Sequence, residues 1–215
     1  MRFCRQPSQT GRTGRRAGVG YSFIYRNQTK QWDAALEVAD TASRLDPKLA
    51  LAYDVRGRVY HGRKEYEKAD REFSEAERLE PDHVENVLAS AYAFNRKGDY
   101  KLAAVEFRET ADRFPRSALA HNNLAWFLAT CPEAAFRNGA EALAHAKSAC
   151  ELTKWKNADY LDTLAAAYAE IGDFDQAVKY VKDAIAKIDA QYKYRKEIEE
   201  HLVLFQRKEA WRARR

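Results

Sequence analysis

A recurrence of 34 residues constrains this chain more than any other feature. Counting Ala50 as position 1, the residues Tyr53, Gly57, Tyr60, Ala69, Phe73, Ala76 and Pro81 fall at positions 4, 8, 11, 20, 24, 27 and 32. Starting again at Val84, the residues Val87, Ala91, Phe94, Ala103, Phe107 and Pro115 keep those places, and Thr110 replaces the small residue at position 27. Positions 20 and 27 are two turns apart on one helix face, and position 8 faces them from a preceding helix. Alanine or glycine there lets two antiparallel helices approach closely. The aromatic residues fill the seams, and the proline, which cannot continue a helix, separates one unit from the next. A unit this short cannot bury its own apolar face, so stacked units must share a continuous core.

The pattern first becomes helical at Trp32. Ala35, Leu36, Ala39 and Ala42 share one face and the run ends at Pro47, which predicts the second helix of an earlier unit. Its first helix is expected over 17–28, where Gly18 and Gly20 each oppose helix by ~1 kcal/mol. The unit 118–157 keeps Leu124, Ala125 and Leu128, then reaches Ala142, Ala146 and Ala149 only after an insertion of about five residues. The insertion surrounds Cys131-Pro132 and Asn138-Gly139, a helix stop and a turn. A further unit covers 158–191, with Leu161, Leu164, Ala165, Tyr168, Gly172, Ala177 and Ala184 in place. Beyond Gln191 the period ends. Tyr194, Ile198, Leu202 and Phe205 form one helical stripe, which fits the end cap that a repeat stack requires. The expected organisation is a basic disordered tail over 1–20, a degenerate unit over 21–47, and four units within 48–191 (50–83, 84–117, 118–157 and 158–191). A capping helix follows over 192–206, and then a basic tail over 207–215 in which Trp211 runs off the stack.

Charge is distributed unevenly. The net +5 combines +7 in residues 1–31 and +4 in residues 205–215 with −6 in the body between them. The basic balance belongs to the ends, which argues against the body as a nucleic-acid surface. Cys4, Cys131 and Cys150 form no CxxC and no disulfide framework, which suits a reducing, cytoplasmic setting. No apolar run approaches the ~18 residues of a membrane span. The N-terminus lacks the ~7–15-residue apolar region of a secretory signal.

Taken together, these residues make the chain resemble a tetratricopeptide-repeat protein over roughly residues 32–191. Asn122-Asn123-Leu124-Ala125-Trp126 through Ala129-Thr130-Cys131-Pro132 is similar to a bacterial version of that repeat. The resemblance implies an all-α, right-handed solenoid whose concave face, lined by first helices, binds peptides or protein segments without catalysis. Positions 2, 5, 9, 12 and 13 of each first helix then line the groove. They give Leu51, Asp54, Arg58, His61 and Gly62, then Glu85, Leu88, Tyr92, Asn95 and Arg96. The third unit gives Leu119, Asn122, Trp126, Ala129 and Thr130, with Asn123 beside them, and the fourth gives Asp159, Asp162, Ala166, Ala169 and Glu170. The expected binding residues are Asp54, Arg58, His61, Tyr92, Asn95, Arg96, Asn122, Asn123, Trp126 and Asp162. Tryptophan, tyrosine and arginine are enriched at binding hot spots, and asparagine can pair with an extended main chain. Tyr92 and Trp126 are equally readable as packing residues between helices. The carboxylate clamp of the family's chaperone-binding members is absent, because Leu88, Tyr92, Asp159 and Thr163 stand at its positions.

No phosphate-binding, metalloprotease or serine-hydrolase motif occurs in the sequence. The spacing of His121, Cys131, His145 and Cys150 matches no zinc pattern, and both cysteines read as buried small residues. The expectation is a non-enzymatic protein-binding scaffold with no catalytic residue, metal or cofactor and no small-molecule substrate. Two other readings stand beside it. One is docking of the basic ends on RNA or an anionic membrane. The other is self-association through the face of Trp32–Leu45, should the weak first helix leave it uncovered.

Overall fold

The computed structural model describes residues 29–80 and 82–213. These residues form ten α-helices and no strand. They are α1 (Thr29–Leu45), α2 (Ala50–Gly62), α3 (Tyr66–Leu79), α4 (Val84–Lys97) and α5 (Tyr100–Arg113), then α6 (Ala118–Thr130), α7 (Gly139–Leu152), α8 (Ala158–Glu170), α9 (Phe174–Ile185) and α10 (Arg195–Gln206). The helix expected over 17–28 and the basic segment of 1–20 lie outside the described residues. Side chains start the helices where the sequence supplies them. Asp99, Ser117, Asn138, Asn157 and Asp173 each accept a hydrogen bond from a backbone N–H of the first turn.

Packing follows the repeat. The pairs α2/α3, α4/α5, α6/α7 and α8/α9 form hairpins, and α2, α4, α6 and α8 lie side by side as one inner layer. The seams within the hairpins are closed by residues with no exposed surface: Ala69, Ala76, Ala91, Ala103, Ala125, Ala142, Ala146, Ala149, Ala165, Ala177 and Ala184. Gly57 shows how tight this is, since a Cβ there would lie 2.5 Å from the Phe73 ring. Thr110, the exception at position 27, is buried because its hydroxyl donates to the Glu106 carbonyl at 2.6 Å. The main core runs from α4 to α10 around Leu88, Phe107, Leu124, Leu128, Leu161, Leu164, Val181, Ile198 and Phe205. At the other end α1 leaves Val38 and Leu45 exposed at 70% and 83%. No helix among the described residues is long and apolar enough to cross a membrane.

The insertion in the third unit is an ordered crossing. Cys131 ends α6, Ala134–Phe136 forms a 3-10 turn, and the Asn138 N–H donates back to the Leu128 carbonyl at 3.0 Å. Arg137 pins this crossing by donating to the Cys131 and Pro132 carbonyls at 2.8 and 3.3 Å. Cys131 and Cys150 are buried free thiols, and burial pushes the Cys150 thiol up to about 12.

The C-terminal segment differs from its expected course. After α10 the chain does not run off the stack. Lys208 adopts a left-handed conformation (φ 60°) and the Glu209 N–H donates to the Leu204 carbonyl at 3.0 Å. This closure turns the backbone and sends residues 210–213 across the inner layer. Trp211 packs 5.2 Å from Trp126 and 5.1 Å from His201, ring centre to ring centre. Repeat spacing carries no information about such a contact between residues 85 positions apart.

Helix closure of this type recurs at position 15 of three units. Gly98 (φ 84°) and Gly172 (φ 83°) occupy it in two, and Lys64 (φ 63°) in the first. A side chain in that conformation is disfavoured by about 1 kcal/mol relative to glycine. Lys64→Gly is therefore expected to raise stability by about 1 kcal/mol in urea unfolding. An unchanged or lower midpoint would contradict this assignment.

Candidate functional site

The inner layer holds a cavity of about 530 Å³. Its walls are Glu85, Leu88 and Tyr92 of α4, Leu119 and Asn122 of α6, Asn157, Asp159 and Tyr160 at the start of α8, and the segment Tyr192-Lys193-Tyr194 before α10. Three first helices meet here because their alanine-lined seams hold them at fixed spacing. The fourth wall comes from the chain beyond the last repeat. The volume lies within the roughly 300–1,000 Å³ typical of ligand pockets.

The polar groups of the cavity are held in defined states. The Tyr192 hydroxyl donates to both Asp159 carboxylate oxygens at 2.8 Å. Burial raises the Asp159 carboxyl above the usual carboxylate range; the Tyr192 hydrogen bond opposes this and the Asp162 carboxylate adds to it. Burial also pushes the Tyr160 phenol up to about 12, and burial together with Asp159 raises that of Tyr192 strongly. Both phenols thus remain donors at neutral pH. Glu85 lies 3.2 Å from the His83 ring nitrogen at the rim. The Asn122 side-chain oxygen is buried and accepts no hydrogen bond among the described residues. Unsatisfied buried oxygens are uncommon, and a donor delivered from outside would satisfy this one.

The residues singled out from sequence, His61 aside, divide into three groups. Tyr92 and Asn122 line the cavity. Tyr92 also packs: its ring meets Phe107 edge-on at 5.8 Å and its hydroxyl donates to Asn123 at 2.5 Å. Asn123 in turn donates to the Leu119 carbonyl at 2.8 Å, so its amide positions Tyr92. A second group is engaged within the protein. Arg58 and Asp54, one turn apart on α2, form a buried ion pair at 2.7 Å. Burial raises the Asp54 carboxyl despite the guanidinium. Asp162 is buried against His201 of α10 at 2.9 Å, and Trp126 lies under Trp211 and His201. The third group, Asn95 and Arg96, sits at the last turn of α4, Arg96 exposed and Asn95 half-buried.

Sequence reasoning assigned Glu85, Leu88, Leu119 and Asp159 to the inner face without selecting them. It missed Asn157, Tyr160 and Tyr192–Tyr194 as wall residues. The signal for the last three was a dense aromatic cluster at the point where the repeat ends. His121 and His145 do come together, with ring nitrogens 2.8 Å apart, and the rings stack at 5.1 Å. No group of three or more metal-ligating side chains occurs among the described residues.

His61 is buried at 4% exposure and meets Tyr66 edge-on at 5.5 Å. Burial, reinforced by Arg96, lowers its pKa to about 4. The unfolded chain takes up this proton near pH 6.5, and the folded chain only near pH 4. Stability from this residue is thus complete above pH 6.5 and lost as pH falls toward 4, by at most roughly 3 kcal/mol. Urea unfolding is expected to show this extra loss relative to His61→Phe. Parallel pH profiles for the two proteins would refute it.

Residues 158–186 match the family model described as Tetratricopeptide repeat. No curated protein matches the chain in sequence. Similar folds occur in solved structures. A chain of the APC/C hetero-tetramer Cut9-Hcn1 aligns with a TM-score of 0.66 at 17% identity, over 82% of this chain and 34% of that one. The chain thus spans about a third of that protein. TTC0263, a thermophilic TPR protein of Thermus thermophilus, aligns with a TM-score of 0.64 at 19% identity, over 81% of this chain and 92% of that one. YrrB, described as a TPR protein with an unusual peptide-binding site, aligns with a TM-score of 0.53 at 20% identity, over 80% and 84%. The chain thus carries a tetratricopeptide repeat over residues 158–186, and its helical stack shares the fold of solved tetratricopeptide-repeat proteins.

Proposed function

We propose that this protein is a non-enzymatic interaction module that captures an extended segment of a protein partner on its inner face, with the cavity between α4, α6 and α8 as the main specificity pocket. The observation that carries this reading is the cavity itself. It joins four tyrosines and two leucines to two carboxylates and an unsatisfied asparagine oxygen in one concave place. Aromatic walls supply contact area with little rotamer entropy to lose, and the carboxylates and Asn122 favour donors. Repeat stacks bind in this way because their helices are preorganised and affinity spreads over several units. YrrB, which shares the fold, carries a peptide-binding site by its own description. Asp159, Asn122 and Glu85 set the selectivity for donor-bearing side chains, and Tyr92, Tyr192 and Tyr194 set the shape.

Peptides selected from a random library against the full chain test the proposal. They are expected to lose at least tenfold in affinity for the double variant Glu85→Ala, Asn122→Ala, with helical content unchanged by circular dichroism. Both side chains reach the cavity, and neither belongs to the buried apolar core. Peptides that bind the variant and the parent equally would place recognition elsewhere.

A further inference from the structure

The other end of the inner face is already occupied, and by this chain. Residues 211–213 lie across the ends of α6 and α8. The Ala213 N–H donates to the Thr130 carbonyl at 2.9 Å, and Arg212 donates to the Ala129 carbonyl at 3.4 Å. Carbonyls in the last turn of a helix lack intrahelical partners, so an extended segment can be captured there through its main chain. Trp211 inserts beside Trp126 and His201, at 5.2 and 5.1 Å. Arg212 forms an ion pair with Glu170 at 2.6 Å.

Glu170 is prepared for that role by the insertion in the third unit. Arg137 holds its other carboxylate oxygen at 3.0 Å, and Arg137 is itself fixed by the carbonyls of Cys131 and Pro132. The acceptor set is thus built by the repeats and stands independently of the tail. An aromatic anchor, a main-chain register and a fixed carboxylate are the elements of linear-motif recognition. The attachment of the tail is light by comparison. It rests on one main-chain hydrogen bond, a long side-chain hydrogen bond from Arg212 to the Ala129 carbonyl, one ring cluster and an ion pair whose arginine side chain is 37% exposed. The turn that delivers it places Lys208 in a conformation that opposes docking. A tether only a few residues long gives the tail an effective concentration on the order of millimolar, so a weak intrinsic affinity keeps it seated.

We propose that the surface of Trp126, Ala129, Thr130, Glu170 and His201 is a second peptide site, specific for an extended partner segment in which an aromatic residue is followed by arginine, and that residues 211–213 are its resident, displaceable occupant. This rests on the inner face being the binding face. It adds a distinct subsite, the chemistry of its ligand, and a competition that sets the partner's apparent affinity. The acidic body supports the choice, since the segment it holds comes from a terminus of net charge +4.

The test uses a fluorescent peptide spanning residues 206–215 and the full-length chain. The double variant Trp211→Ala, Arg212→Ala leaves the site without its aromatic and cationic occupant. It is expected to bind the peptide at least tenfold more tightly than the wild-type chain does. A control peptide with the same two replacements, which keeps the other basic residues, is expected to show no such gain. Equal binding to both proteins, or no binding to a variant with intact helical signal, would overturn the proposal. If the double variant loses that signal, Arg212→Glu serves in its place, because it opposes Glu170 while leaving Trp211. Peptide selection against the cavity reads out separately, so a failure here leaves the reading of the cavity in force.

Discussion

Everything in this molecule depends on the closeness with which its helices meet. The contact surfaces are mostly methyl groups. Ala69, Ala76, Ala103, Ala142, Ala146, Ala149, Ala177 and Ala184 on the second helices of the four units are fully buried, and Gly57, Ala91, Ala125 and Ala165 face them. Such a seam has little freedom to repack. Enlarging one of its residues forces neighbours off their rotamers, typically at about 1–3 kcal/mol. A stack fixed in this way presents its inner layer as a rigid surface. Side chains held in this way would need little reordering on binding, which is the condition the proposed site relies on.

The inner layer is divided along its length. At α2 the groove-facing charges are spent on each other in the Asp54–Arg58 pair, and His61 is buried. Around α4, α6 and the start of α8 the tyrosine-walled cavity stands open. Toward the ends of α6 and α8 the layer is covered by α10 and the segment that follows it. The unit with the insertion sits at this border. Its α6 contributes Asn122 to the cavity and Trp126 to the covered end, and its Arg137 orients Glu170. Departure from the repeat thus coincides with the border between the open cavity and the covered end.

What could be read from the sequence was whatever the period governs. The helices, the small residues at their seams, the insertion and the capping stripe all follow from local spacing. The closure at Gly98 and Gly172 reflects their freedom at positive φ, and Lys64 adopts it without that freedom. The Asp54–Arg58 pair obeys the same local spacing, opposite charges one turn apart, although both residues were expected in the open groove. Contacts made outside the period were not. Asp162 and His201 are 39 residues apart and Trp126 and Trp211 are 85 apart, and no spacing rule links them. Residues assigned to an open groove by their position in the repeat were therefore found covered, while the tyrosines beyond the last repeat became part of a wall.

The claim that the stack is closed at one end by its own C-terminal segment, and open at its middle, is tested most directly by amide hydrogen exchange on the intact chain. The Ala213 amide, held by the Thr130 carbonyl, is predicted to exchange at least tenfold more slowly than an unprotected amide. Exchange of Ala213 at the unprotected rate, with the amides of α6 and α10 still protected, would contradict it.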